Sequence, residues 1–156
     1  MNIKDISKED RDKIVLFFKE HWGSTEMVIS TGIYHCETLD GFIYEENNQI
    51  IGLVTYIITE SEIEIISLDS LLEGRGIGTA LIKRVENIAK EKELPISLIT
   101  TNDNLNALKF YQKRGYRLIS LIPNAVHKAR KLKPSIPLMG MDGIPLHDEL
   151  KLRKIL

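Results

Sequence analysis

The chain has 156 residues, 43% apolar, 28% charged and 6% aromatic, the balance of one globular domain and not of a fibre, a coiled coil or a disordered tract. No apolar run approaches the roughly 20 residues that span a bilayer, and Met1 to Ser7 carries charges where a secretory leader needs an apolar core, so the sequence predicts a cytoplasmic protein with no membrane partner. Cys36 is the only cysteine, which excludes an internal disulfide and a cysteine-rich zinc site. The net charge of -1 hides an asymmetry: Met1 to Glu73 holds 15 Asp/Glu against 5 Lys/Arg, and Gly74 to Leu156 holds 7 against 16. Lys113 to Lys133 contains seven Lys/Arg and no acid, a stretch suited to nucleic acid or to a polyphosphate cofactor.

In chain order, Met1 to Ile6 reads as a short strand. Ser7 with Asp10 forms a capping-box-like start for a helix carrying Ile14, Val15, Phe17, Phe18 and Trp22, its aromatic residues expected in the core, ending near Gly23. Ser24 to Asp40 has no clear period and reads as loop with a short helix. Gly41 to Glu46, Gln49 to Ile58 and Ser61 to Asp69 are β-rich runs joined by Asn47-Asn48 and Thr59-Glu60, which predicts antiparallel hairpins. From Gly76 to about Glu91, Ile77, Leu81, Val85, Ile88 and Ala89 recur at helical spacing. Pro95 to Thr101 is a strand, a helix capped by Asn102, Asp103 or Asn104 runs to Gly115, and Tyr116 to Ile122 is strand again. A basic helix over Ala125 to Lys133, an irregular proline-bearing stretch over Pro134 to Pro145 and a last strand over Asp148 to Leu156 complete the chain. With no repeat and no linker, the reading is a single α/β domain over residues 1–156, with a mixed, mostly antiparallel sheet of six to seven strands flanked by helices.

The chemistry concentrates in Glu73-Gly74-Arg75-Gly76-Ile77-Gly78-Thr79-Ala80, between a predicted strand and a predicted helix. Such a turn offers several backbone N–H groups at the positive end of a helix dipole, and glycine lets phosphate oxygens approach the backbone, so the turn suits a pyrophosphate. A nucleotide P-loop is excluded because no Lys-Ser or Lys-Thr follows the glycines, and the dinucleotide fingerprint needs another spacing. One strand further lies Asn104-Leu-Asn-Ala107-Leu-Lys-Phe110-Tyr111, followed by Gly115-Tyr116.

Together these stretches resemble the GNAT superfamily of acetyl-coenzyme-A-dependent N-acetyltransferases, whose pattern is Gln/Arg-x-x-Gly-x-Gly/Ala, then Asn-x-x-Ala-x-x-x-Tyr and a Gly-aromatic pair. The resemblance covers Gly41 to Ile122 in the correct element order, and the tail from Ala129 looks like one little-characterised bacterial branch. Glu73 departs from the usual Gln or Arg; Arg75 is positioned in sequence to replace the missing positive charge. The resemblance implies acetyl-coenzyme A as cosubstrate. Its pyrophosphate would lie on Gly74, Arg75, Gly76, Ile77, Gly78 and Thr79, its pantetheine arm against the strand end at Leu68 and Ser70 and against Asn104, and its sulfur near Tyr111.

Transfer to an amine needs a base, because a lysine-type amine with pKa ≈ 10.4 is protonated at neutral pH. Glu62 and Glu64 sit two apart on one strand and share a face; Glu62 falls where some members of the family carry a catalytic glutamate. Asp69, at the strand end, is a further candidate for the base and, by the same alternation, points to the other face. Tyr111 matches the tyrosine that protonates the leaving thiolate. Cys36 lies outside the motifs, so direct attack by the amine is expected and no acetyl-enzyme. His21, His35, His127 and His147 share no metal-ligand spacing, so no metal is predicted. The expected acceptor is a small-molecule or peptide amine met by a monomer or homodimer; a catalytically silent acyl-coenzyme-A sensor of the same fold is the alternative. A nucleic-acid module is disfavoured because no aromatics interleave with the basic residues.

Overall fold

Ser7 and Asp10 set where the first helix begins. In the computed structural model, which describes residues 1–156, the Asp10 carboxylate accepts from the Ser7 backbone N–H at 2.8 Å and from the Ser7 hydroxyl at 2.9 Å. After strand β1 (Ile3–Asp5) and a 3-10 turn over Lys8–Asp10, helix α1 runs over Arg11–Trp22. Gly23 ends it in the left-handed region at φ 76°, which costs glycine little. Ser24 to Asp40, expected as loop with a short helix, instead forms the hairpin of β2 (Glu26–Ile29) and β3 (Gly32–His35), with one 3-10 turn over Cys36–Thr38.

The chain divides into two compact units, one of Met1–Met27, Tyr34–Ile96 and Leu156, the other of Val28–Ile33 and Ser97–Ile155. In the first, strands β4 (Asp40–Glu46), β5 (Gln49–Ile58) and β6 (Ile63–Ser70) follow one another and the order is β1-β4-β5-β6, every neighbour antiparallel. Asn47 and Asn48 adopt φ 50° and 64°, the left-handed pair that closes a two-residue hairpin with the twist its strands need.

The ladder between β5 and β6 contains an irregularity that alternation alone does not foresee. Thr55 pairs with Ser67 but Tyr56 pairs with Ile65, so Ile66 is an extra residue, a β-bulge. Paired residues share a face of the sheet. Leu53, Thr55 and Ile57 therefore define one face with Asp69, Ser67 and Glu64, while Gly52, Val54 and Tyr56 define the other with Ser70, Leu68 and Ile65. On the first face Leu53 joins Ile14, Phe17 and Phe18 of α1 in a buried cluster with Cys36, Ile43, Ile50 and Ile66, against which Ile57 and Tyr34 pack. On the second lies helix α2 (Ile77–Lys92), whose Ile77 and Leu81 press on Gly52.

In the second unit, strand β7 (Ile96–Thr101), helix α3 (Leu105–Lys113), strand β8 (Arg117–Ile122), helix α4 (Ala125–Leu132) and strand β9 (Glu149–Lys154) give the order β7-β9-β8, with β8 and β9 antiparallel. No residue of β7 is ionisable. The proline-bearing stretch holds only a 3-10 turn over Met141–Gly143 and a single bridge between Met139 and Pro145; Arg130 donates to the carbonyls of Ile136, Pro137 and Leu146, and the buried Asp103 accepts from Met141 N–H at 2.9 Å. The α/β class expected from the sequence is the one adopted.

Gly52 marks how closely α2 approaches its strand. A Cβ there would lie 2.5 Å from Ile77 Cγ2 and 2.9 Å from Leu81 Cδ1, so Gly52→Ala forces the helix outward. Such overpacking costs about 1–3 kcal/mol; urea denaturation is expected to show a loss of that size with an unchanged m-value.

Candidate functional site

The glycine-rich turn lies between the end of β6 and the start of α2. Gly74 and Gly76 take φ 75° and 74° with open space where a Cβ would stand, so backbone conformation, not crowding, requires glycine at both positions. Gly76 is the residue before the helix, and Ala80 N–H already returns to its carbonyl at 3.0 Å. The first turn of α2, from Ile77 through Gly78 and Thr79, holds no acidic side chain, and N–H groups in a first turn have no carbonyl one turn earlier to bond. Chemically this is a cradle for an anion with several oxygens.

Arg75 does not stand free to supply the charge that Glu73 lacks. Its Nη1 donates to Glu46 Oε1 at 3.1 Å and its Nη2 contacts Glu46 Oε2, and the Tyr44 hydroxyl donates to Glu46 Oε2 at 2.5 Å. The Arg75 guanidinium and then the Tyr44 hydroxyl hold the Glu46 carboxyl down to about 2, so Glu46 stays ionised at any physiological pH. Glu46, at the end of β4, was not among the residues the sequence singled out; nothing local in Glu45-Glu46-Asn47 marks it. Leu68 and Ser70 lie at the end of β6, the Ser70 hydroxyl donating to the Leu72 carbonyl at 3.1 Å.

The acids of β6 are arranged by the bulge. Glu64 is buried, with its Oε1 3.5 Å from the Tyr34 hydroxyl. Glu62 precedes the ladder in the turn that Thr59 closes, where Thr59 N–H donates to the Glu62 carbonyl at 2.9 Å. Between Glu64 and Asp69 on the same face, the Thr55 and Ser67 hydroxyls share a buried hydrogen bond of 2.6 Å. The expectation that Asp69 points away from the glutamates is therefore wrong, because one inserted residue reverses the alternation beyond Ile66. Trp22, expected in the core with Phe17 and Phe18, is 46% exposed and its Nε1–H donates to Asp69 Oδ1 at 3.0 Å.

In the second unit, Asn104 caps α3, its Oδ1 accepting from Ala107 N–H at 3.1 Å. Tyr111 is 8% exposed and packs edge-on against Phe110 and Tyr116 at centroid distances of 5.2 and 5.6 Å. Arg114, in the basic stretch suited to a polyphosphate cofactor, lies 3.6 Å over the Phe110 ring and donates to the Phe110 carbonyl. His127 and His147 line an open cleft with Asn124, Leu138 and Met139, and no three His, Cys, Asp or Glu side chains gather as a metal site would need.

The model of the acetyltransferase (GNAT) family matches residues 8–116. The chain is 54% identical over 156 residues to YxbD, an uncharacterised protein of Bacillus subtilis, covering 99% of this chain and 98% of that one. Among solved structures it is similar to an IAA acetyltransferase from Bacillus cereus (TM-score 0.75, 22% identity, 99% of each chain). It is also similar to a GNAT-family acetyltransferase from Elizabethkingia anophelis with acetyl-CoA bound (TM-score 0.69, 21% identity, 99% of this chain and 97% of that one). At these identities the structural likeness is one of fold.

The Arg75–Glu46 pair makes a direct prediction about anion binding. If a coenzyme A pyrophosphate binds at this turn, Glu46→Gln frees Arg75 to meet it, and calorimetry is then expected to show coenzyme A binding tighter by about two- to fivefold, the scale of one exposed ionic contact, with the gain shrinking as salt rises.

Proposed function

Since the chain belongs to the GNAT acetyltransferase family, we propose that it moves the acetyl group of acetyl-coenzyme A to a primary amine by direct attack. The observation that carries this reading is the turn from Glu73 to Gly78, where two left-handed glycines open α2 and present an N-terminal cradle for the cofactor pyrophosphate. The acetyl-CoA bound by the Elizabethkingia relative supports the choice of cosubstrate. The strand end at Leu68 and Ser70 takes the pantetheine arm, and Asn104, beside its capping duty, contributes to the same arm.

Three proton and charge tasks remain. Glu62 or Glu64, directly or through water, takes the proton that keeps the amine from attacking. Tyr111 donates its hydroxyl proton to the departing thiolate, and the backbone at the end of β6 polarises the thioester carbonyl. The acidic first half of the sequence, 15 acids against 5 bases, draws a cationic acceptor. Residues 1–156 act as one catalytic domain in the cytoplasm, as a monomer or homodimer, without metal or nucleic acid.

The test is a panel of primary amines assayed for release of free coenzyme A thiol; no amine-dependent release from the folded protein overturns the reading. With the best amine, Tyr111→Phe is expected to lower kcat by about 10²- to 10⁴-fold while the acetyl-coenzyme A Kd stays put, because the hydroxyl acts on the leaving group and not on the ground state.

The glutamates are expected to show themselves in pH dependence. The Glu62→Gln, Glu64→Gln double variant slows the reaction near neutral pH and recovers as pH rises, since the amine then arrives already deprotonated. A wild-type pH–rate profile in that variant removes both from the role of base.

A further inference from the structure

The stoichiometry of the proposed reaction leaves one proton without a destination. An ammonium group that becomes a secondary amide loses two protons from its nitrogen, and the coenzyme A thiolate takes up one. The other, lifted first by a glutamate, must leave that carboxylate before the next amine arrives. A group able to receive it has to lie on the same strand face and must exchange protons near the working pH.

Asp69 has both the placement and the environment. The bulge at Ile66 sets it on the face of Glu64 and Ser67. Its Oδ1 is held by the Trp22 indole N–H at 3.0 Å; its Oδ2 is buried with no hydrogen-bond partner. An orphaned carboxylate oxygen is costly, and in a folded protein it calls for an explanation. The groups facing Asp69 in its unit are few. Leu53 opposes it on β5, Ser67 and beyond it Glu64 share its own strand face, and α1 brings the Trp22 indole and the His21 imidazole. No lysine or arginine balances it. Burial pushes the Asp69 carboxyl up to about 6, against the smaller opposing pulls of the Trp22 N–H and of His21.

We propose that Asp69 is the second proton acceptor of the transfer: the proton that a glutamate takes from the amine passes through water to Asp69 and from there to solvent. The inference rests on the acetyl-transfer reading above. No electrons change hands; the glutamate returns to its ionised form, and Asp69 is protonated once and deprotonated once in each turnover. Trp22 is a positioning residue, fixing the Asp69 carboxyl by Oδ1 and leaving Oδ2 for the proton.

Asp69→Asn separates this role from a structural one, because asparagine keeps an oxygen to accept from the Trp22 indole and loses only the titration. The carboxyl is raised in the fold, so its ionised form is the less stable one, and wild-type stability falls as pH rises from the ordinary aspartate range through about 6. The variant is spared that loss and is expected to melt about 2–5 °C higher at neutral pH. With the best amine its kcat is expected to fall about tenfold or more, acetyl-coenzyme A affinity is expected to hold, and the acid limb of the kcat profile near pH 6 is expected to disappear. Trp22→Phe, which removes the indole donor, moves that limb to higher pH. Carboxyl NMR of the unliganded wild type reads the Asp69 titration without any acceptor, and titration in the ordinary carboxylate range overturns the proposal. So does an Asp69→Asn variant that keeps wild-type kcat and its acid limb. Absence of thiol release with every amine defeats the transfer reading and this inference together, whereas release that survives Asp69→Asn unchanged defeats the inference alone.

Discussion

One extra residue in β6 decides what the two sides of the first unit are made of. With Ile66 inserted, Glu64, Ser67 and Asp69 face the α1 side, while Ile63, Ile65, Leu68 and Ser70 face α2. A regular strand would put Asp69 against Ile77 and Leu81 of α2, with no hydroxyl or indole to receive it. The bulge also sends Ile66 itself into the cluster around Phe17, Phe18 and Leu53, so apolar burial there holds the irregularity in register. A strand whose register is fixed by buried isoleucine on either side of the insertion has no cheap way to slip. The polar groups it carries are therefore located by the packing of their apolar neighbours.

Charge is managed differently at the two ends of this strand. At the glycine-rich turn, an exposed guanidinium is paired with Glu46 and a tyrosine hydroxyl supports the pair. The pair is thus neutral as a unit, and Arg75 meets any anion at the turn only by giving up its carboxylate partner. On the α1 face the acid has no lysine or arginine partner, only the indole N–H of Trp22 and the pull of His21. The first arrangement sits in water, where each contact is weak and exchangeable; in the second, one carboxylate oxygen is withdrawn from water without a hydrogen-bond partner, which changes the proton affinity of the group itself.

Most of the element order was legible because long runs with a clear period dominate it. The Ile77, Leu81, Val85 stripe, the Gln49–Ile58 strand and the capping by Ser7 and Asp10 of the 3-10 turn that leads into α1 all express local preferences that packing does not oppose. The hairpin of β2 and β3 escaped because each strand is four residues long and neither alternates cleanly; the signal on offer was Ser30-Thr31-Gly32 between two β-rich stretches. The bulge escaped for a related reason: Ile65-Ile66 breaks a polar–apolar alternation with two consecutive isoleucines, and a single doubled apolar residue looks like ordinary burial. The exposure of Trp22 is not legible because helical spacing locates a side chain on a stripe without saying where the stripe meets solvent. Glu46 was invisible because its partner is 29 residues away.

The single thiol lies where chemistry hardly reaches it. Cys36 is 1% exposed, its N–H donates to the Thr25 carbonyl at 2.9 Å, and its neighbours are the apolar residues packed between α1 and the sheet. Thiol reagents act on exposed thiolates, so the native chain is silent toward them. Any thiol that such a reagent counts in a reaction mixture then comes from the coenzyme, and labelling of Cys36 times the opening of the α1 core. The same solvent exclusion that makes this cysteine inert turns it into an internal clock for unfolding, read without adding a probe.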